Sequence, residues 1–211
     1  MNCTRIYLIR HGQVVNHHEF RYNGHFDVDI TVIGVEQMTR LADFLSGEPI
    51  KAIYTSDLQR SVKGGQIIAA SLGLKFEKIP ELKELHLGRW EGLTRKEASE
   101  KYPEEADFSF RDLATSKVKE GESLNDLKAR VLPAIEAIVK AHPNEAICVV
   151  AHGGVNRVIL CDALGLSNEN FFRIEQDYGC LNLVDYFSDS TKVVKLLNGG
   201  PNQEMKQTVL Y

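Results

Sequence analysis

The sequence predicts an α/β fold: a three-layer α/β/α sandwich with a mostly parallel sheet and an antiparallel edge strand. Short apolar, β-branched-rich runs such as "RIYLIR" and "AICVVA" alternate with amphipathic helical stretches, a pattern that requires parallel crossovers with helices on both faces. The last two apolar runs, "LNLVDYF" and "TKVVKLL", are separated only by the turn "SDS" and read as a hairpin. The 211 residues contain no Pro/Gly/Ser-rich linker, repeat or low-complexity tract. This leaves one domain over residues 1–198, with a helical insertion at about 92–122 and a polar tail at 199–211.

Taken in order, Arg5 to Arg10 form the first strand, and the polar loop that follows, from Gly12 to about Ile30, is long enough to be functional. Thr31 caps a helix to about Leu45, with Val35, Met38, Leu41, Ala42 and Leu45 as its apolar stripe and Gly47 as its stop. "AIYT" is the second strand. Ser56 or Asp57 starts a helix to about Leu72, Gly73 ends it, and "LKFEKI" gives a third strand up to Pro80. Inside the second helix, Gly64 and Gly65 cost roughly 1 kcal/mol each relative to alanine, which implies close backbone packing.

Within the insertion, Thr94 and Glu97 have capping-box spacing for a short helix that Pro103 stops. Ser123 opens a long helix to about Ala141, with Leu127, Val131, Ile135 and Ile138 on its apolar face. "AICVVA" is the fourth buried strand, and His152-Gly153-Gly154 leads into a helix ending at Gly165.

Composition narrows the function classes. Hydrophobic residues at 43% and charged residues at 26% are ordinary for a globular protein. A net charge of -4 argues against a nucleic-acid or anionic-membrane partner, so any anion must be caught in a local pocket. No signal-like N-terminus and no run of about 18 apolar residues occurs, and a cytoplasmic location is expected. Cys3, Cys148, Cys161 and Cys180 lack CxxC spacing and read as buried thiols in a reducing compartment. Neither HExxH nor paired Cys/His spacing appears, so no metal and no cofactor is expected.

The chemistry gathers at three strand ends. Strand neighbours point to opposite faces, so Arg10 and His11 share a target only if the strand stops there and Gly12 lets the backbone turn. "TSDLQRS" places Arg60 about one helical turn past the second strand, and His152-Gly153-Gly154 follows the fourth. Ligands of such sheets bind beyond the carboxyl ends of the strands, and helix N-termini favour anions. Two arginines and two histidines gathered there describe a phosphate or sulfate pocket.

The ordered set "LIRHGQ", "NGH.D..IT..G..Q", "YTSDLQRS", "LKELHLGRWEG", "GES" and "VVAHGG" resembles the histidine phosphatase superfamily, the phosphoglycerate mutase-like fold, from Arg5 to Leu197. The resemblance implies that His11 is the nucleophile, that Arg10, Arg60 and His152 hold the phosphoryl group, and that Glu84 is the acid. On residue chemistry alone, Glu81 and Glu91 compete with Glu84. The family's phosphate-contacting asparagine maps onto Asn16, which sits one residue nearer the histidine than the family spacing, and Asn23 can substitute for it. Gln13, Asn23, Gly24 and Gly153 are the expected substrate rim. His17, His18 and His25 either join that rim or are solvated, and Trp90 packs as core. Gly64-Gly65 stands where the family has a threonine and an alanine.

The implied chemistry fits the side chains. A neutral imidazole attacks phosphorus from one ring nitrogen while a backbone carbonyl holds the other N–H. Arg10, Arg60 and a protonated His152 neutralise the equatorial oxygens without a metal. Glu84 protonates the leaving oxygen, provided burial or nearby carboxylates raise its pKa. The segment between Trp90 and Ser123 leaves no room for the covering insertions of cofactor-dependent phosphoglycerate mutases, so a phosphatase is expected over a mutase.

The later stretch "FFRIEQDYGCLNLVDYF" with "KVVKLLN" resembles the α-ribazole 5'-phosphate phosphatases of cobalamin biosynthesis. Sugar phosphates, fructose 2,6-bisphosphate and phosphoglycerates are rival substrates. The non-enzyme alternative is a catalytically silent phospho-ligand binding module, which typically lacks the nucleophile or the acid. The expected partner is a small phosphorylated substrate, with no nucleic acid and no membrane, and the chain is expected to be a monomer or homodimer.

Overall fold

The strands are β1 (Thr4–Arg10), β2 (Ile50–Thr55), β3 (Phe76–Lys78), β4 (Ala146–Ala151), β5 (Leu181–Tyr186) and β6 (Lys192–Gly199). They are taken from a computed structural model that describes residues 2–109 and 113–200. One sheet holds them in the order β3-β2-β4-β1-β5-β6. β1, β2, β3 and β4 pair in parallel, while β5 runs antiparallel to both of its neighbours. The antiparallel strand therefore lies one place in from the edge, and β6, which turns back beyond it, is the edge itself.

Alternation along the strands divides the core between two faces. Tyr7, Ile9, Cys148 and Val150 pack against α1 (Val32–Leu45) and α2 (Gln59–Leu72) through Met38, Leu41, Leu45 and Ile68. Ile6, Leu8, Ile147 and Val149 pack against α4 (Leu124–Ala141) and α5 (Gly153–Ala163) through Leu127, Val131, Ile135 and Val158. Each such side chain, fully buried, contributes about 1.5–3 kcal/mol. The expected sandwich is present, with β1 and β4 buried on both faces.

Local chemistry sets the helix ends. The Thr31 hydroxyl accepts from the Gly34 N–H at 3.0 Å and starts α1. Capping boxes start both α3 (Arg95–Lys101), through Thr94 and Glu97, and α4, through Ser123 and Asp126. Three expectations are corrected. α1 ends at a right-handed Ser46, so Gly47 is not its stop. Val35 is 38% exposed, and Gly34 takes its place on the buried stripe. α2 starts at Gln59 with Leu58 as its uncapped N-terminal neighbour, because Ser56 is turned inward and Asp57 faces Lys83.

The paired glycines of α2 are explained by contact. A Cβ on Gly65 would lie 2.2 Å from Thr55 Cγ2, and one on Gly64 would lie 2.9 Å from Met38 Cε. Their absence lets α2 settle onto β2 and α1. Trp90 is buried, stacks on Tyr22 at 5.2 Å between centroids and donates from Nε1 to Glu105 at 2.9 Å, so it ties the insertion to the first loop as packing. Strand β6 continues to Gly199, so the polar tail begins later than expected, and its residues from 201 onward lie outside the described residues, as do 110–112. Among the described residues no helix is long and apolar enough to cross a membrane, and all four thiols are free and buried.

Candidate active site

Parallel register brings the three strand ends together. Arg10 lies opposite Ala151, and Thr55 lies opposite Val150, so the segments leaving β1, β2 and β4 meet on one side of the sheet. The His11 N–H extends the ladder by one bond, to the Ala151 carbonyl at 3.1 Å. Gly12 then passes α1 so closely that a Cβ would lie 2.3 Å from the Gly34 carbonyl oxygen. Close approach, and not a positive φ, is what requires glycine there.

His11 is buried, with Nδ1 2.8 Å from the Gly12 carbonyl oxygen. A carbonyl only accepts, so Nδ1 carries the proton and Nε2 keeps its lone pair. Burial first, then the charges of Arg60 and Arg10, hold the His11 pKa well below the ordinary histidine value. The neutral ring is favoured, with its Nε2 lone pair free.

His152, the residue capping α5, is fully buried, its ring edge-on to His11 at 5.2 Å between centroids. Its Nε2 lies 2.7 Å from Ser56 Oγ, and its Nδ1 has no hydrogen-bond partner among the described residues. Burial, then Arg60, His11 and Arg10, push its pKa far down. Complete burial beside two guanidiniums favours the neutral ring, against the expectation of a protonated His152.

Arg60 is buried and donates to the carbonyls of Gly24 at 2.6 Å and Phe26 at 3.1 Å, which folds the first loop over the start of α2. Arg10 donates to the Gln176 carbonyl, and its guanidinium lies 4.0 Å from the centre of the Tyr178 ring. Its buried Nε has no partner among the described residues.

Of the three competing carboxylates, Glu84 alone lines the cleft. It accepts from the Gly154 N–H at the start of α5, at 3.0 Å, and from its neighbour Leu85 N–H at 2.7 Å. The Glu84 carbonyl accepts from His25 Nε2 at 2.8 Å and from Arg130 at 2.7 Å. Arg130, on α4, also donates to the carbonyls of Glu81 and Lys83 and grips both carboxylate oxygens of Glu122. His86 and Glu122 are paired in both directions: the Glu122 N–H donates to the His86 carbonyl, and the His86 N–H donates to the Glu122 carboxylate. Glu91 is consumed by the backbone N–H groups of His25, Phe26 and Leu87, and Glu81 is exposed.

The asparagines lie together. Asn16 and Asn23 exchange amide hydrogen bonds at 2.8 and 2.9 Å, with Asn23 and Gly24 on the cleft wall and buried Asn16 off it. Two rim expectations are corrected. The Gln13 amide oxygen accepts from the Thr31 hydroxyl at 3.0 Å, which turns the side chain to the start of α1. Gly153 lies beneath guanidiniums, where a Cβ would be 3.3 Å from Arg157 Nη1 and 3.4 Å from Arg10 Nε. His25 braces the Glu84 backbone, while His17 and His18 are exposed.

The cleft has a volume of ≈ 350 Å³. Arg10, His11, Arg60 and Glu84 form its inner end, and Tyr22, Leu85, Leu87, Leu113, Phe171 and Phe172 line the rest. Sequence reasoning missed that apolar wall, together with Tyr178, Arg21 and Arg157. Arg157 had a usable signal, since it follows Gly153 by one helical turn and so shares its face. Among the described residues no group of three or more His, Cys, Asp or Glu side chains is placed to hold a metal ion. The arrangement can hold a tetrahedral anion and present an unprotonated ring nitrogen to its central atom.

Comparison with known proteins agrees with that chemistry. The family model described as histidine phosphatase superfamily (branch 1) matches residues 6–199. The metal-independent phosphoserine phosphatase of Arabidopsis thaliana is 36% identical over 160 residues, 74% of this chain and 67% of that protein. The adenosylcobalamin/alpha-ribazole phosphatase of Escherichia coli (strain K12) is 26% identical over 181 residues, 86% of this chain and 89% of that protein. The solved structure of Bacillus stearothermophilus YhfR has a TM-score of 0.86 at 26% identity, over 93% of this chain and 97% of that one.

Proposed function

The chain belongs to the histidine phosphatase superfamily, and from that premise we propose that it hydrolyses a small phosphate monoester through a phosphohistidine formed on His11. The observation that carries the reading is the His11 ring itself: Nδ1 is tied to the Gly12 carbonyl, which leaves Nε2 unprotonated beside Arg10 and Arg60. Phosphoric monoester hydrolysis is the reaction class of its phosphatase-named relatives.

In the first step His11 Nε2 forms a bond to phosphorus as the ester P–O bond breaks. The electron pair goes to the leaving oxygen, which takes a proton from the Glu84 carboxyl group and departs as an alcohol. In the second, water attacks phosphorus and gives a proton to the Glu84 carboxylate, the P–N bond breaks with its pair returning to Nε2, and inorganic phosphate leaves. Arg10 and Arg60 face the equatorial oxygens throughout, with Asn23 on the cleft wall and Asn16 bracing it.

The apolar, ring-lined wall favours a leaving group with a ring, such as that of α-ribazole 5'-phosphate, over a carboxylate-bearing one such as phosphoserine. A carboxylate would need an unengaged cation. Arg21 is already held by Glu19 and Glu97, and Arg157 by the Ile174 carbonyl and Glu175.

The test is turnover on a panel of α-ribazole 5'-phosphate, phosphoserine, 3-phosphoglycerate and p-nitrophenyl phosphate, with and without EDTA, alongside trapping of an acid-labile phosphoenzyme. Expected are EDTA-insensitive hydrolysis, labelling that disappears in His11→Ala, and the highest kcat/KM on α-ribazole 5'-phosphate. Comparable slow rates on every ester remove the cobalamin assignment. Labelling with little hydrolysis points to a mutase, and neither labelling nor turnover to a silent phospho-ligand module.

A further inference from the structure

We propose that Ser56 is a positioning residue whose hydroxyl fixes His152 in the Nδ1-protonated tautomer, so that His152 offers Nδ1–H to the phosphoryl group. The proposal rests on the phosphohistidine reading for its purpose, though the tautomer is measurable without it.

Both side chains are fully buried, with Ser56 Oγ 2.7 Å from His152 Nε2. Ser56 Oγ also accepts from the Leu58 N–H at 3.3 Å. A serine hydroxyl has one proton to give, and among the described residues His152 Nε2 is the acceptor in reach. If Nε2 carried the ring proton, two donors would converge on Oγ and the hydroxyl proton would be stranded in a buried site. With the hydroxyl donating to Nε2, both Ser56 Oγ and His152 Nε2 are satisfied, the single proton of the neutral ring sits on Nδ1, and that Nδ1–H is the one group left for a ligand to accept from.

That Nδ1 has no partner of its own among the described residues, and its ring abuts His11 with Arg60 and Arg10 close by. The two histidines are thus wired in opposite senses. His11 gives up Nδ1 to a carbonyl and keeps Nε2 for attack, while His152 gives up Nε2 to a hydroxyl and keeps Nδ1–H for donation.

Ser56 is itself held in place. Its N–H donates to Ser61 Oγ at 3.1 Å, and the Ser61 hydroxyl donates to the Val150 carbonyl at 2.5 Å. Val150 belongs to β4, the strand that delivers His152. The two serines of "TSDLQRS" therefore join the end of β2 to the end of β4 and set the ring they converge on.

The experiment is ring-nitrogen NMR of selectively labelled His152, with inorganic phosphate as the probe, in wild type and in Ser56→Ala. Expected in wild type is a protonated Nδ1 whose signal moves on phosphate addition. Ser56→Ala shifts the proton toward Nε2 and lowers kcat by roughly tenfold or more with a smaller change in KM, as for a donor that matters most in the transition state. Ser56→Thr, which keeps the hydroxyl, restores the wild-type tautomer and most of kcat. A wild-type ring protonated on Nε2, an Nδ1 signal indifferent to phosphate, or an unchanged kcat in a folded Ser56→Ala overturns the proposal. Absence of any ester hydrolysis by wild type, with the expected tautomer and phosphate response intact, instead counts against the phosphatase reading alone.

Discussion

The inner end of the cleft takes Arg10, His11 and Arg60, with His152 packed against His11, from segments that leave three neighbouring strands, whereas the apolar wall takes Leu113, Phe171 and Phe172 from segments outside any strand or α-helix. His11, His152 and Arg60 are buried and individually tethered: His11 to Gly12, His152 to Ser56, Arg60 to Gly24 and Phe26. The outer wall includes Phe172, which is 56% exposed. A rigid inner end suits a feature shared by every phosphate ester, and an adaptable wall suits the part that differs between them.

This contrast can be broken by substitution. Arg60→Met is expected to lower kcat/KM by about 10²–10³ on every ester tested, since it removes a preorganised donor at the equatorial oxygens. Steady-state kinetics on the substrate panel check this, and a loss confined to one ester would show that the two ends are not separable.

Acid stability is the next effect in size. The folded-state pKa values of His11 and His152 lie below their ordinary value of 6.5, so below that pH the unfolded chain binds protons that the folded chain does not. The stabilisation is fully present above about pH 6.5 and falls as the medium is acidified, by about 1.4 kcal/mol per pH unit for each histidine. Urea midpoints between about pH 7 and 5, above the range in which the unfolded chain's carboxylates titrate, should show the slope. His11→Asn should flatten it, and Phe172→Ala should leave it unchanged.

Phe172→Ala itself is the smallest change. It should raise KM less than about tenfold for ring-bearing esters and leave small esters nearly untouched, the scale expected for one apolar contact. Equal effects on phosphoserine and on α-ribazole 5'-phosphate would deny the wall its selective role.

The same division governed what could be read from the residues alone. β1 and β4 are buried on both faces and therefore near-continuously apolar, and the capping boxes at Thr94 and Ser123 are local chemistry, so these elements were legible. The strand-end cluster was legible because parallel topology fixes where such ends meet. Ser56 misled: it has the composition of a helix cap, but its hydroxyl is spent on a histidine 96 positions away. Gln13 misled for a similar reason, because its partner Thr31 sits across the first loop. The placing of Leu113, Phe172 and Tyr178 on the cleft was not legible, since no period relates residues brought together only by tertiary packing. The burial that disfavours a charge on His152 was not legible, because depth of burial is not written in a tripeptide.

Arg130 has one consequence beyond bracing Glu84. By gripping the carbonyls of Glu81, Lys83 and Glu84 on one side and the Glu122 carboxylate on the other, and with His86 paired to Glu122, it cinches the insertion at its neck. That knot joins the two stretches of chain at which the insertion leaves and re-enters the domain, beside the Glu84 carboxylate. One side chain thus acts as both buckle and brace, so a substitution at Arg130 loosens the closure of the insertion and the backbone that carries Glu84 together.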